Sequence, residues 1–139
     1  MCSSDLAALI GANLSGARGE FASFSAANLE GANVSQTALP RTNFEAACLG
    51  KANFQKSDLT EARFVQAVAA AATFDETKLG YADFSSADLQ GASFKKADLT
   101  WANLHAIQDA KVVWDGATRK NVRGTDPDRL EAETWKPPA

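Results

Sequence analysis

Few side chains in this chain could carry chemistry. There is one histidine, His105, and there are two cysteines, Cys2 and Cys48. A lone imidazole and two thiols far apart in sequence cannot assemble a zinc cluster, which needs three or four such ligands at close spacing. Asp75-Glu76 are adjacent acids in a turn-like segment, not a pair converging on a pocket. Gly11, Gly16, Gly31 and Gly91 fall at regular positions and form no phosphate-cradling loop. Nucleophile, base and metal are all missing as a constellation, so the chain reads as a non-enzyme with no cofactor and no metal. His105 is expected to be a solvated corner residue.

The charge balance narrows the partners. The formal net charge is -3, with charged residues at 22% and hydrophobic residues at 45%. A nucleic-acid binder would carry a basic stripe to neutralise phosphates, so direct nucleic-acid binding is not expected. No stretch approaches the roughly 20 apolar residues that span a bilayer. With two cysteines outside any CxxC pattern, a cytoplasmic protein is the expectation. A minor alternative is a lipid-anchored or periplasmic protein, because Cys2-Ser3-Ser4 resembles the start of a processed bacterial lipoprotein.

What positions the remaining side chains is a five-residue period. Every fifth residue from Leu9 to Leu104 gives ten Leu, seven Phe, one Val, one Gly and one Ala. The residue two earlier is Ala sixteen times, Thr three times and Ser once. Between them stands mostly Asn, Asp or Ser, as in Ala12-Asn13-Leu14, Ala52-Asn53-Phe54 and Ala97-Asp98-Leu99. A helix would smear such a period around its surface, and a straight strand would flip the apolar set with each odd step. The period is consistent with a chain that turns a corner once per unit and sends one large and one small residue inward.

Residues twenty apart then stack. Phe24, Phe44, Phe64 and Phe84 form one column with Leu104. Leu14, Val34, Phe54, Phe74 and Phe94 form another. Leu39, Leu59, Leu79 and Leu99 form a third, with Gly19 at its start. Four units per coil follow, and five coils at a strand spacing of about 4.8 Å give a rod of about 24 Å. Each buried Leu or Phe contributes roughly 1.5–3 kcal/mol, so the inward columns are core and not a ligand channel.

The units resemble the pentapeptide repeat family, whose consensus is Ala-(Asp/Asn)-Leu-x-x. The resemblance covers residues 7–106. It implies an all-β fold, the right-handed quadrilateral β-helix, with the large centre and the preceding Ala turned inward. Three segments are expected: a lead-in over 1–6, twenty repeat units over 7–106, and a C-terminal cap or tail over 107–139.

Departures from the repeat point to function. Gly19 empties a core position, and Phe21 is expected to fold back over the gap or the open end, the alternative being an exposed ligand contact. Over 65–72 the centre is Ala69, and Val65 and Val68 stand at outward positions. A local bulge is expected there, with an apolar partner-contact patch as the alternative. The corner column Phe21, Arg41, Glu61, Tyr81, Trp101 ends in an aromatic pair that is either an interface anchor or packing for the tail. Asn13, Asn33 and Asn53 are expected to form a side-chain hydrogen-bond ladder. In the tail, Val112-Val113-Trp114 before Asp115-Gly116 reads as a strand and turn. Asp126-Pro127 reads as the start of a helix over Arg129–Trp135, stopped by Pro137-Pro138. Trp114 and Trp135 are candidate cap or dimer contacts, so the chain is a monomer or a dimer through its C-terminal end.

The functional expectation is a protein-interaction or scaffold module with a protein partner. The alternative is what the resemblance to the family's quinolone-resistance members implies, a DNA mimic that protects a type II topoisomerase. Ten acids against eight bases over 7–106 leave a balance of only -2 for such a mimic.

Overall fold

The computed structural model of the chain describes residues 8–125 and 127–135. Cys2 and the lead-in over 1–6, Asp126 as helix cap and Pro137-Pro138 as helix stop lie outside the described residues. So does Ala7, the first residue of the repeat as read.

The chain winds into a coil with four corners per twenty residues. Parallel bridges link Ala8 to Asn28, Asn28 to Cys48, Cys48 to Val68 and Val68 to Asp88, and the other three flanks repeat the pattern. The backbone bonds follow one rule. A centre's N–H donates one coil onward, as Phe64 to the Asp83 carbonyl at 2.6 Å, and the preceding residue's N–H donates one coil back, as Arg63 to the Thr42 carbonyl at 2.9 Å. Each strand therefore pairs on both sides, through the N–H of its middle residue and the N–H of its centre.

Corners are made by a four-residue turn. The centre's carbonyl accepts from the small residue three positions on, as Leu9 from Ala12 at 3.0 Å. The third residue of the turn has φ near +60° at every corner from Gly11 to Asn121. A positive φ at that position alone is the signature of a type II turn. Glycine takes this torsion freely at Gly31 and Gly91, whereas Gln36, Lys56 and Tyr81 accept it at φ 56°, 59° and 59°. An L side chain in that region costs roughly 1–2 kcal/mol.

Where the mid-unit residue is Asn or Asp, its side chain offsets part of that cost. Asn33 Oδ1 accepts from the N–H of Ser35 at 3.1 Å, Asp58 Oδ1 from Thr60 at 3.1 Å, and Asn53 Oδ1 from Gln55 at 2.9 Å. The expected Asn13–Asn33–Asn53 ladder is therefore replaced by local corner caps. Asn13, too, accepts from its own Ser15. An Asx side chain reaches the N–H two residues on more readily than its equivalent a coil away.

The core is two interlocked phenylalanine stacks. Phe44 and Phe64 lie 4.9 Å apart at 5°, and Phe64 and Phe84 lie 4.6 Å apart at 4°. Phe54, Phe74 and Phe94 repeat this at 4.9 Å. The two stacks meet edge to face, with Phe64 against Phe74 at 5.6 Å and 90°. Both geometries are the favourable ones for aromatic rings.

Two expectations change here. The backbone pattern runs without a bulge through 65–72, since Val68 bridges Cys48 and Asp88 in register and Ala69 stays fully buried. The continuous ladder holds the register even where a core side chain is small. The coil also does not stop at Ala106. Bridges continue through Gln108, Val113 and Thr118 to Arg123, and Trp114 stacks on Phe94 at 4.9 Å. Centre positions in this stretch hold Asp109 and Arg119, and the Arg119 guanidinium lies 4.7 Å over the Trp114 ring. A polar last coil is how a solenoid closes an end whose core would otherwise face water. The chain then forms α1, Pro127–Thr134, followed by an exposed Trp135.

Replacing Phe64 by Ala should remove about 3–5 kcal/mol of stability, because it interrupts its own stack and removes the edge-to-face contacts to Phe54 and Phe74. Thr42 Oγ1 is buried with no hydrogen-bond partner. Thr42→Ala should then be neutral or stabilising by up to about 1 kcal/mol. Urea unfolding of the two variants beside the parent checks both, and a Thr42→Ala loss above 1 kcal/mol would refute the second.

Candidate functional site

Outward residues decide what the rod can touch, and the four corners differ in what they project. At the positive-φ position, one corner holds Gly11, Gly31, Lys51, Ala71 and Gly91. The corner a quarter turn earlier holds Ala26, Ala46, Gln66, Ser86 and Ala106. A third holds Gly16, Gln36, Lys56, Glu76 and Lys96, while the fourth holds Phe21, Arg41, Glu61, Tyr81 and Trp101 without a glycine. This last ridge keeps large side chains where the backbone favours none.

Tyr81 and Trp101 are 60% and 50% exposed, and their rings stack 6.2 Å apart at 9°. Their backbones are fixed by the ladder, Tyr81 N–H donating to the Thr100 carbonyl and Trp101 N–H to that of Lys120, each at 3.0 Å. The pair is thus held in place by the coil and not by packing of the rings. With half its surface in water, Trp101 is not buried by the tail.

Toward the N-terminal end the ridge becomes charged and balanced. The Arg41 guanidinium donates to Glu61 Oε2 and Glu20 Oε1, each at 2.6 Å, and sits 5.4 Å over the Phe21 ring. The hydrogen bonds to Glu61 and then to Glu20 raise the Arg41 pKa above its ordinary value, so it stays charged throughout. Phe21 remains 68% exposed. It does not fold into the space left by Gly19, because its φ of +60° aims the side chain away from the coil. Arg63–Glu45 at 3.6 Å and Lys56–Glu76 at 4.0 Å pair further acids with bases.

The Val65 and Val68 flank has a neighbour of its own. Val65 and Val68 are half-buried, and α1 lies beside Val65. An open hollow of about 470 Å³ is bounded by Val65, Ser85 and Ala106 on the rod and by Glu133 and Thr134 of α1. His105 departs from the expected solvated residue. It is only 2% exposed, and its Nε2 lies 3.1 Å from Glu133 Oε2. Its burial arises from α1 returning along the rod, which the local repeat pattern of His105 could not reveal. Tyr81 and Trp101 stand on the ridge, Val65 on the α1 flank, Trp114 in the last coil against Phe94, and Trp135 exposed beyond α1. The structure brings together only the first two. Among the described residues, no group of three or more His, Cys, Asp or Glu could hold a metal ion. No helix among them is long and apolar enough to cross a membrane.

The profile of the pentapeptide repeats matches residues 5–39, 39–68 and 70–105. The chain belongs to the pentapeptide repeat family. The matched stretches part at residue 69, where Ala stands in place of the large centre. Among solved structures, a pentapeptide repeat protein from the thylakoid lumen of Arabidopsis thaliana is similar, with 29% identity and a TM-score of 0.69. The likeness covers 74% of this chain and 72% of that one. Trypsin-treated QnrB1, a plasmid-mediated fluoroquinolone resistance protein, is similar with 16% identity and a TM-score of 0.54, over 96% of this chain and 86% of that one. That second likeness carries the fold alone. No curated protein matches the chain. The architecture is thus the family's right-handed quadrilateral β-helix.

His105→Ala should loosen α1 from the rod without unfolding it. Amide exchange over residues 128–134 should accelerate at least tenfold while the Phe64 and Phe84 amides keep their protection. Unchanged exchange in α1 would show that Glu133 and His105 do not hold it.

Proposed function

We propose that this protein is a non-enzymatic interaction module that presents the Tyr81–Trp101 ridge to a protein partner. The observation that carries this reading is a stacked, half-exposed aromatic pair whose backbone is fixed by the ladder. Tyr and Trp are enriched among residues that dominate interface energetics, and rigid presentation lowers the ordering cost of binding. The interior supports the same reading, since its centres are filled with Phe and Leu and leave no channel.

The topoisomerase-protecting alternative rests on the fold shared with QnrB1. A DNA mimic needs a continuous negative face. Here Arg41, Arg63 and Lys56 are paired with carboxylates along the rod, which breaks up any such face. Fold alone does not transfer an activity.

Tyr81→Ala with Trp101→Ala should change unfolding free energy by less than about 1 kcal/mol, because both side chains are exposed. The same pair should weaken capture of a wild-type-specific partner by about thirtyfold or more, as expected for anchor residues. Lys56→Ala on another corner should leave capture unchanged. Equal capture by the double variant would sink the ridge as the interface. In a gyrase supercoiling assay with a fluoroquinolone, micromolar protein should give no protection, and protection would move the reading to the alternative.

A further inference from the structure

The last coil ends in an unfinished ladder. Around Thr118 the bonds toward the rod are complete. Thr118 N–H donates to the Ala97 carbonyl, and the Thr118 carbonyl accepts from the Leu99 N–H, each at 2.8 Å. The Ala117 carbonyl and the Arg119 N–H face the other way and have no backbone partner among the described residues. By the rule of the inner coils, these two groups would bind one residue of a further coil. Its N–H would donate to the Ala117 carbonyl, and its carbonyl would accept from the Arg119 N–H. That is one vacant step of a parallel ladder. α1 runs beside Val65, Ser85 and Ala106, at a corner that the 117–119 flank does not share. Thr118 and Arg119 are exposed.

The same flank offers charge. Residues 107–125 hold Lys111, Arg119, Lys120 and Arg123 against Asp109 and Asp115, four bases against two acids, a balance of +2. The ion pairs of the described residues fall on Arg41, Lys56, Arg63 and His105, and none of the four bases of the last coil takes part. Arg119 stands at a centre position, and its guanidinium lies 4.7 Å over the Trp114 ring. Phe94 stacks on Trp114 at 4.9 Å, so ring and guanidinium end the aromatic column together. The guanidinium is thereby oriented at the open end. A second copy of the chain would bring a balance of +2 against +2, and like charge at an open edge keeps identical ends apart.

We propose that the 117–119 flank is a strand-addition site for an extended acidic segment of a protein partner. The segment adds parallel to Ala117–Arg119, and one of its residues pairs with Thr118 through both vacant backbone groups. Side chains alternate along a strand. The residue before the paired one stacks on Ala117 and is small. The residue after it stacks over Arg119, where a Glu or Asp accepts from the guanidinium. The segment therefore reads small-x-acid, the order of the chain's own units with a carboxylate in place of the large centre. Main-chain bonds supply the docking and the carboxylate supplies the selectivity. This site is separate from the Tyr81–Trp101 ridge and does not rest on it.

A blocked peptide with the core Ala-Val-Glu is titrated into the isotope-labelled full chain. The Thr118 and Arg119 amide resonances should shift, and exchange of the Arg119 amide should slow at least tenfold, while the Phe64 and Tyr81 amides stay unchanged. A peptide with Ala-Val-Gln in the same frame should bind at least tenfold more weakly, and so should the Glu peptide to Arg119→Gln. Methylating the nitrogen of the peptide's Val removes the proton donated to the Ala117 carbonyl and should also cost at least tenfold. Raising salt from about 0.1 M to about 1 M shortens the Debye length from about 10 Å to about 3 Å and should weaken the Glu peptide more than the Gln peptide. Equal binding by the methylated peptide would reduce the site to charge attraction and overturn the proposal. An Arg119 amide indifferent to millimolar peptide would do the same. So would a chain that sediments as a dimer with that amide already protected, because a second copy would then fill the edge.

Discussion

The structure depends on one torsion repeated at every corner, the positive φ of the residue two positions after each centre. Without it the chain would run on as a strand, and five being odd, alternate centres would face water. With it, each unit begins again in the same orientation, so Phe stacks on Phe and Leu on Leu. The constraint is expensive for L residues, and eighteen of these positions are not glycine. It is sustained because the ladder bonds and the stacked core act on every coil together. The cost at a corner comes from the Cβ alone and is the same for most L residues, which explains why corner identity is free to vary while the centres are not.

That freedom separates stability from recognition. The inward columns are committed to packing, and the Asx residue at mid-unit is committed to its own corner. Only the two corner positions project without an assigned structural task. A ridge holding Phe21, Arg41, Glu61, Tyr81 and Trp101 therefore differs from a ridge of Gly and Ala by choice of surface, not by need of fold. Where the ridge is charged, Arg41 is shared by two acids and presents little net field. Where it is aromatic, the pair is unmasked.

The twenty-residue register was legible because Phe24, Phe44, Phe64 and Phe84 repeat the same bulky ring at the same phase. Legibility failed where residue type and position part company. Asp109 and Arg119 stand at centre positions, and Ile107, Val112 and Val122 stand where Ala is usual, so the last coil looks like an irregular tail. Its pattern is intact once side-chain size is set aside and only the spacing is read. The Val65–Ala72 stretch misled in the opposite sense. A missing Leu suggested a broken register, but register is set by backbone pairing on both sides and not by any one centre.

The candidate site was legible only in part, for a different reason. Tyr81 and Trp101 are twenty apart, so their adjacency follows from the period. The environment of His105 does not, because α1 is not part of the repeat and its path back along the rod depends on the chain after Arg123. Periodic sequence predicts contacts at a fixed offset, and contacts at any other offset need the structure. His105 to Glu133 is an offset of twenty-eight and obeys no repeat rule. The repeat therefore dictates the surface on which a partner could dock, whereas the non-repeating chain end decides which flank stays open. With α1 beside Val65 and Ser85, that flank is partly occupied from within. The aromatic ridge is left as the large exposed apolar feature that the coil itself holds rigid.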